Sequence, residues 1–258
     1  MKLSGNTILI TGGASGIGLE LAKELIKKGN VVIVTGRNKA KLEKAKKQLP
    51  GLNVIKSDVS VGKDIEALYK QVTKQFPALN ILINNAGIMR TVNFHAPHDS
   101  LANLTEEIDI NLTGSIRMAK QFLPHLKKQP AAAIVNVSSG LAFVPLPISP
   151  IYCATKAALH SFSLSLRLQL KNTNVRVFEL APPATQTEMM GDFDAEDMKG
   201  VSIMKVEDMT RDALNGMEND EFEIRPGQSN QLKFMSRLAP GFILNQMGKT
   251  VDRMLANS

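Results

Sequence analysis

Short apolar runs alternate with amphipathic stretches along the whole chain. Thr7-Ile8-Leu9-Ile10 reads as a buried strand, because a short run rich in β-branched residues suits a sheet covered on both faces. It runs straight into Thr11-Gly12-Gly13-Ala14-Ser15-Gly16-Ile17-Gly18, after which Leu21, Ala22, Leu25 and Ile26 recur at helical spacing. Glu20, Lys23, Glu24, Lys27 and Lys28 take the outer face and Gly29 closes the segment, the pattern of an amphipathic helix with a glycine stop. Val31-Val32-Ile33-Val34-Thr35, Val54-Ile55, Ile81-Leu82-Ile83, Ile134 to Val137 and Val175 to Leu180 are further short strands separated by helical stretches. This alternation predicts an α/β chain with a doubly wound parallel sheet of about seven strands flanked by helices. At 258 residues, without repeat, low-complexity tract or linker, a single domain over 1–258 is expected.

The junctions between these elements carry the chemistry. Strand, glycine turn and helix in succession suit a dinucleotide: Gly12, Gly16 and Gly18 let the backbone turn tightly, and free N–H groups at the helix start meet a pyrophosphate. A glycine turn serving packing alone is the plainer reading. The second strand ends in Gly36-Arg37-Asn38. An acid there would hold the ribose 2′-hydroxyl of NAD, whereas Arg37 suits the 2′-phosphate of NADP. The expectation is NADP(H) in preference to NAD(H), with Arg37 as one more charge beside a Lys-rich helix, Asn38 to Gln48, as the alternative. Neutral Ser15 offers no second phosphate ligand. Downstream, Tyr152 and Lys156 are four residues apart, so a helix brings the ammonium near the phenol. A free phenol has a pKa of about 10, and a nearby cation lowers it toward the range useful for proton transfer.

Together these residues resemble the short-chain dehydrogenase/reductase family, of the compact single-domain type, from Thr7 to about Thr187. Thr11 to Gly18 match its cofactor turn, Asp58-Val59 the acidic pair beside the adenine, and Asn84-Asn85-Ala86-Gly87 the signature ending its fourth strand. Asn111, Ser139, Tyr152 and Lys156 match its catalytic tetrad. The resemblance implies a Rossmann fold and hydride exchange between a nicotinamide cofactor and a carbonyl or alcohol. It makes Tyr152 the proton donor or acceptor and Ser139 a hydrogen-bond partner of the same oxygen. Lys156 would bind the nicotinamide ribose and depress the Tyr152 pKa, and Asn111 would hold a relay water. Asn85, Ala86 and Gly87 would line the adenosine ribose, and Pro182 and Thr187 the nicotinamide. Ser139, thirteen residues before Tyr152, has the family register; adjacent Ser138 would satisfy backbone at the strand end. Plainer roles stand beside these: Asn111 as a mid-helix polar residue, Asp58 as cap of a helix beginning near Val61. Pairing into a homodimer or homotetramer through helices near Leu104 to Leu126 and Ile151 to Leu170 is also implied.

Composition narrows the partners. One cysteine, Cys153, excludes an internal disulfide and suits a reducing cytoplasm; beside Tyr152 it reads as a small packing residue. His95, His98, His125 and His160 show no zinc spacing, so no metal is expected. The N-terminus enters its first strand without a leader-like segment. The uncharged stretch Gly140 to Thr155 is broken by three prolines and is too short to span a bilayer. A net charge of +7 comes from lysines spread along outer helix faces without interleaved aromatics, which argues against nucleic acid.

Two departures from the family pattern mark this chain. Pro182-Pro183-Ala184-Thr185-Gln186-Thr187 puts Pro183 where the family usually has Gly, fixing φ. A methionine-rich, acidic stretch with Met189, Met190, Asp192, Asp194, Glu196, Asp197 and Met198 follows, expected as a substrate lid over 183–204. Near the C-terminus stands Glu223-Ile224-Arg225-Pro226-Gly227-Gln228, then a tail over 229–258 whose apolar face runs from Leu232 to Leu255 and is interrupted by Pro240-Gly241. Lys233, Arg237, Lys249 and Arg253 are among its polar positions. Such a segment suits its own domain, a second subunit or an anionic membrane surface; packing within the protein is the expectation. Segment and tail resemble the bacterial DltE-like subgroup.

Overall fold

The structure, a computed structural model, describes residues 1–96, 100–192 and 201–256. His98, Asp194, Glu196, Asp197 and Met198, singled out above, lie outside the described residues. Seven strands form one parallel sheet: β1 (Thr7–Thr11), β2 (Val31–Gly36), β3 (Asn53–Lys56), β4 (Leu79–Asn84), β5 (Ala132–Val137), β6 (Val175–Leu180) and β7 (Glu223–Ile224). Their order is β3-β2-β1-β4-β5-β6-β7. The chain thus winds outward from β1 in one direction and then, from β4 on, in the other, which is the Rossmann arrangement. The crevice beyond the carboxyl ends of β1 and β4 lies where the strand order reverses, the usual place for a ligand in such sheets.

Alternate residues of each strand feed two cores. Ile8, Ile10, Ile81, Ile83, Ala133 and Val135 pack against α1 (Gly16–Lys27), α2 (Lys39–Gln48) and α7 (Val206–Glu218). Leu9, Leu82 and Ile134 face the opposite side, with α3 (Gly62–Gln75), α5 (Gly114–Leu126) and α6 (Pro150–Gln169). Continuous apolar strands follow directly from burial on both faces.

One helical expectation changes. Leu104 to Leu126 is not one helix: α4 (Leu101–Glu107) passes into a π-helical turn, Ile108–Thr113, before α5 begins. At its start Gly114 meets Val59 so closely that an added Cβ would lie 2.9 Å from the Val59 carbonyl. The tail forms α8 (Ser229–Leu238) and α9 (Pro240–Ala256), the break falling at the proline that opens α9, where a missing N–H costs nothing. Its apolar residues divide. Leu232, Ile243 and Met247 line the main cleft of the same chain, while Phe234, Leu238, Phe242 and Leu244 stay exposed. Among the described residues no helix is long and apolar enough to cross a membrane.

Candidate active site

The glycine turn and the end of β4 are built as one unit. The Thr11 hydroxyl accepts the N–H groups of Asn85 and Ala86, each at 3.0 Å. The Asn85 amide donates to the carbonyls of Thr11 (3.0 Å) and Gly12 (3.1 Å). Gly12 has φ +64°, and a Cβ there would lie 2.8 Å from Ala86 Cα; this position admits only glycine. A Cβ on Gly18 would lie 2.5 Å from the Asn85 side-chain nitrogen, so Asn85 touches the turn while Gly87 faces the cleft. Ser15 precedes α1 in extended conformation without capping it through its side chain, and no acid occupies the first turn. The N–H groups around Gly16, Ile17 and Gly18 therefore present an open positive helix end. Thr187 closes over this turn from the far side, its methyl 3.3 Å from where a Gly16 Cβ would be.

A cleft of about 870 Å³ runs from this turn to Ser139, Tyr152 and Lys156, with Pro182 and Thr187 along one wall. A side cavity of about 120 Å³ opens between Arg37, Asp58, Val59, Ala86 and Ile110. Asp58 does not cap α3, whose cap position is Val61. Its carboxylate accepts the Ser60 N–H (2.9 Å) and hydroxyl (2.7 Å), shaping the turn that forms the cavity wall. Arg37 is half-exposed and donates to Glu106 of α4 at 3.0 Å. Lys41 of α2, also on the cleft wall, pairs with Glu188 at 2.6 Å.

The four expected catalytic residues converge from three elements. Tyr152 and Lys156 sit one turn apart on α6, both buried. Ser139 caps a short turn after β5, accepting the Leu141 N–H at 3.1 Å, and lines the same cleft as Tyr152. Ser138 turns away to donate to Glu179 at 2.5 Å. Asn111 lies wholly buried in the π turn, a geometry common where helices carry function. It brackets the backbone of Ile88, accepting its N–H and donating to its carbonyl, each at 2.9 Å, and also reaches Thr155 at 3.2 Å.

The electrostatics correct one expectation. The Tyr152 pKa is raised to about 12, because burial outweighs the opposing influence of the Ser139 hydroxyl and the charge of Glu107 pushes in the same direction as burial. Lys156 does not offset this. Its ammonium donates to the Val137 carbonyl at 2.8 Å and lies 5.5 Å from the phenol ring centroid. Burial lowers its own pKa to about 8, opposed by Glu107.

Sequence reasoning missed Glu106 and Glu107. Glu107 is 1% exposed, accepts the Arg90 N–H at 2.8 Å and, among the described residues, finds no partner for its second oxygen. Their signal, two acids one helical turn ahead of Asn111, is indistinguishable in sequence from a solvated helix end. Cys153 packs as expected: its sulfur accepts the Leu146 N–H at 3.1 Å, and burial pushes the thiol up to about 11. His95 is exposed. His160 meets Glu179 at 2.7 Å, with Glu223 within 4.8 Å. Arg225 and Lys233 already bind Glu223, and Glu179 takes the Ser138 hydroxyl and the His160 ring. Residues 160, 179 and 223 come from three elements, which no spacing reveals.

The chain belongs to the short-chain dehydrogenase/reductase family of oxidoreductases: the family described as short chain dehydrogenase matches residues 6–198. It is 43% identical over 249 residues to DltE of Bacillus subtilis, an uncharacterized oxidoreductase, across 96% of this chain and 98% of that protein. An uncharacterized oxidoreductase of Staphylococcus epidermidis is 30% identical over 229 residues, 87% of this chain and 99% of that one. A short chain dehydrogenase from Burkholderia cenocepacia, solved in complex with NADP, shares the fold at TM-score 0.82 and 24% identity, covering 96% and 99% of the two chains. A 3-ketoacyl-(acyl-carrier-protein) reductase from Brucella melitensis, complexed with NADH, has TM-score 0.76 and 28% identity, covering 83% and 91%.

Proposed function

We propose that this protein is an NADP(H)-dependent oxidoreductase that interconverts a carbonyl and an alcohol, with Tyr152 as general acid/base. The observation that carries the reading is the meeting of Tyr152, Ser139 and Lys156 on one cleft with the open helix end after Gly12. The chemistry of these groups fits a dinucleotide. Backbone N–H groups of Ser15, Gly16, Ile17 and Gly18 would hold the pyrophosphate. Asp58 and Val59 would flank the adenine, with Asn85, Ala86 and Gly87 at its ribose. Lys156 would hold the nicotinamide ribose, and Pro182 with Thr187 its carboxamide. When bound, the nicotinamide supplies or accepts the hydride. Arg37, with neutral Gly36 in place of an acid, favours the phosphorylated cofactor; the Brucella reductase, solved with NADH, supports the nicotinamide itself.

In reduction Tyr152 donates its proton to the carbonyl oxygen, and a neutral phenol is what burial maintains across the neutral range. Ser139 holds the same oxygen. Asn111, its side chain committed to Ile88 and Thr155, fixes the position of the strand end beside Lys156 and offers its place in the π turn to the proton path. Residues 183–204, of which 193–200 lie outside the described residues, are the proposed lid, and α8 with α9 the outer wall against a bulky apolar substrate. The free buried cysteine suits a cytoplasmic setting, and self-association through α5 and α6 completes the reading.

The test is oxidation of NADPH and NADH against a panel of ketones, aldehydes and quinones, with Tyr152→Phe as control. Turnover preferring NADPH is expected, falling by on the order of 10²–10⁴ in the variant while NADPH binding is kept. Turnover that survives Tyr152→Phe, or tight NADPH binding without turnover on any carbonyl, would sink the enzyme reading in favour of a cofactor sensor.

A further inference from the structure

The two cations at the adenosine end of the cleft are both occupied by acids from distant parts of the chain. Arg37, at the end of β2, reaches Glu106 of α4 at 3.0 Å. Lys41, in the first turn of α2, reaches Glu188 at 2.6 Å. Glu188 opens the short turn Glu188–Asp192 that follows β6, and Arg37, Lys41 and Glu188 all line the same cleft. Glu106 is itself shared, since Arg90 also binds its carboxylate. The Arg37 pair therefore ties the end of β2 to α4, and the Lys41 pair ties α2 to the turn after β6 along the cleft wall. The cations hold both carboxyls below their ordinary range: Arg37 first and then Arg90 at Glu106, Lys41 at Glu188.

We propose that Arg37 and Lys41 form a two-cation seat for the 2′-phosphate of NADP(H), and that Glu106 and Glu188 are built-in competitors that a phosphate must displace. The inference rests on the NADP(H) reading above and extends it to Lys41 and to the two acids. A phosphate monoester carries about −1.5 to −2 charges at neutral pH and three acceptor oxygens. It outbids a single carboxylate for a guanidinium and an ammonium that line one cleft. A ribose 2′-hydroxyl brings no charge and leaves both ion pairs closed. The competition narrows the selectivity that Arg37 alone would give, because exposed pairs of this kind contribute little but measurably.

The experiment measures Kd for NADPH, NADH and the nicotinamide-free probe 2′,5′-ADP on the full chain by titration calorimetry. Glu106→Gln and Glu188→Gln are each expected to tighten NADPH and 2′,5′-ADP about two- to fivefold and to leave NADH unchanged. Lys41→Ala is expected to weaken NADPH and not NADH, and Glu188→Gln is expected to be silent in that background, as Glu106→Gln is in Arg37→Ala. Weaker NADPH binding in either glutamine variant, an equal effect on both cofactors, or an effect that persists without the paired cation overturns the proposal. Arg37→Ala separates it from the reading beneath: a preference for NADPH that survives Arg37→Ala removes Arg37 as phosphate ligand. Loss of that preference together with silent glutamine variants removes only the competitors, and absence of binding by either cofactor removes both.

Discussion

Glu107 stands one helical turn before Asn111, and the two side chains hold alternate residues of the strand leaving β4: Asn111 brackets Ile88, and Glu107 accepts the Arg90 N–H. Burial raises the Glu107 pKa, and its charge acts on both Tyr152 and Lys156. A folded-state carboxyl pKa above the unfolded value means that the ionised group costs stability once the pH exceeds the unfolded pKa. Glu107→Gln keeps an acceptor for Arg90 and removes the charge. It is expected to stabilise the fold at pH 7 by on the order of 1 kcal/mol, with the gain fading in acid, as chemical denaturation at several pH values would show. It also removes one contribution that raises the Tyr152 pKa, so the pH profile of alcohol oxidation moves to lower pH; an unmoved profile leaves Glu107 a purely structural residue. Tyr152, Lys156 and Ser139 were legible because each belongs to a local pattern. Glu106, Glu107 and Lys41 were not, because their partners at positions 37, 90 and 188 are set by folding. The direction of the Tyr152 shift was misjudged for a related reason: a four-residue spacing shows a nearby cation but neither the burial of the phenol nor the carbonyl of Val137 that holds the ammonium.

Among elements, one close contact joins the turn after β5 to α8. A Cβ on Gly140 would lie 2.7 Å from Ser229 Oγ and 3.1 Å from Leu232 Cδ1, while the Gly140 N–H donates to the Pro182 carbonyl at 2.8 Å. The turn carrying Ser139 is thus fixed between the β6 loop and the tail. Gly140→Ala forces the Ser229 hydroxyl to turn away and Leu232 to give by a few tenths of an ångström, and overpacking of this kind costs roughly 1 kcal/mol. Because Leu232 lines the cleft beside the turn that carries Ser139, the KM for a carbonyl substrate is expected to rise while the Kd for NADPH stays put. An equal change in both would place α8 outside the substrate wall. The strand–helix alternation was readable at this scale because each apolar run is buried on both faces. The π turn was not, since Leu104 and Ile108 keep helical spacing through it and only the packing of Asn111 against Ile88 shows the extra residue. The tail's face was visible as a periodicity, but its division between cleft and solvent depends on what lies beneath each side chain.

At the scale of the whole molecule, the parallel sheet puts a buried ammonium at the centre of a stable fold. Lys156 is 4% exposed, with its pKa lowered from 10.5 to about 8 chiefly by burial. The folded state therefore binds fewer protons than the unfolded one between those values, so stability rises with pH across that window, and below it the full cost is present. The difference, about 2.5 pKa units at about 1.4 kcal/mol each, sets a cost of about 3 kcal/mol at neutral pH. Lys156→Met is expected to abolish turnover yet raise stability at pH 7, with the gain shrinking between about pH 8 and 10.5; a variant less stable at pH 7 would mean that the bond to Val137 outweighs burial. The outer surface makes the complementary statement about assembly. Ile108 and Ile116 on the π turn and α5, and Leu164 and Leu168 on α6, are large apolar side chains left in water, Leu168 at 71% exposure. Leu164 and Leu168 are one turn apart on α6 and so share a face. A two-fold pairing of these helices would bury each residue twice, once per copy. A specific pairing needs about 1,200–2,000 Å² of total burial, which two helices per subunit can supply. Leu168→Glu places a charge on that face in both copies. Wild type sedimenting as a dimer or tetramer and the variant as a monomer, with its unfolding midpoint lowered only at high protein concentration, is the expected result. Identical sedimentation of the two proteins would take α6 out of the interface.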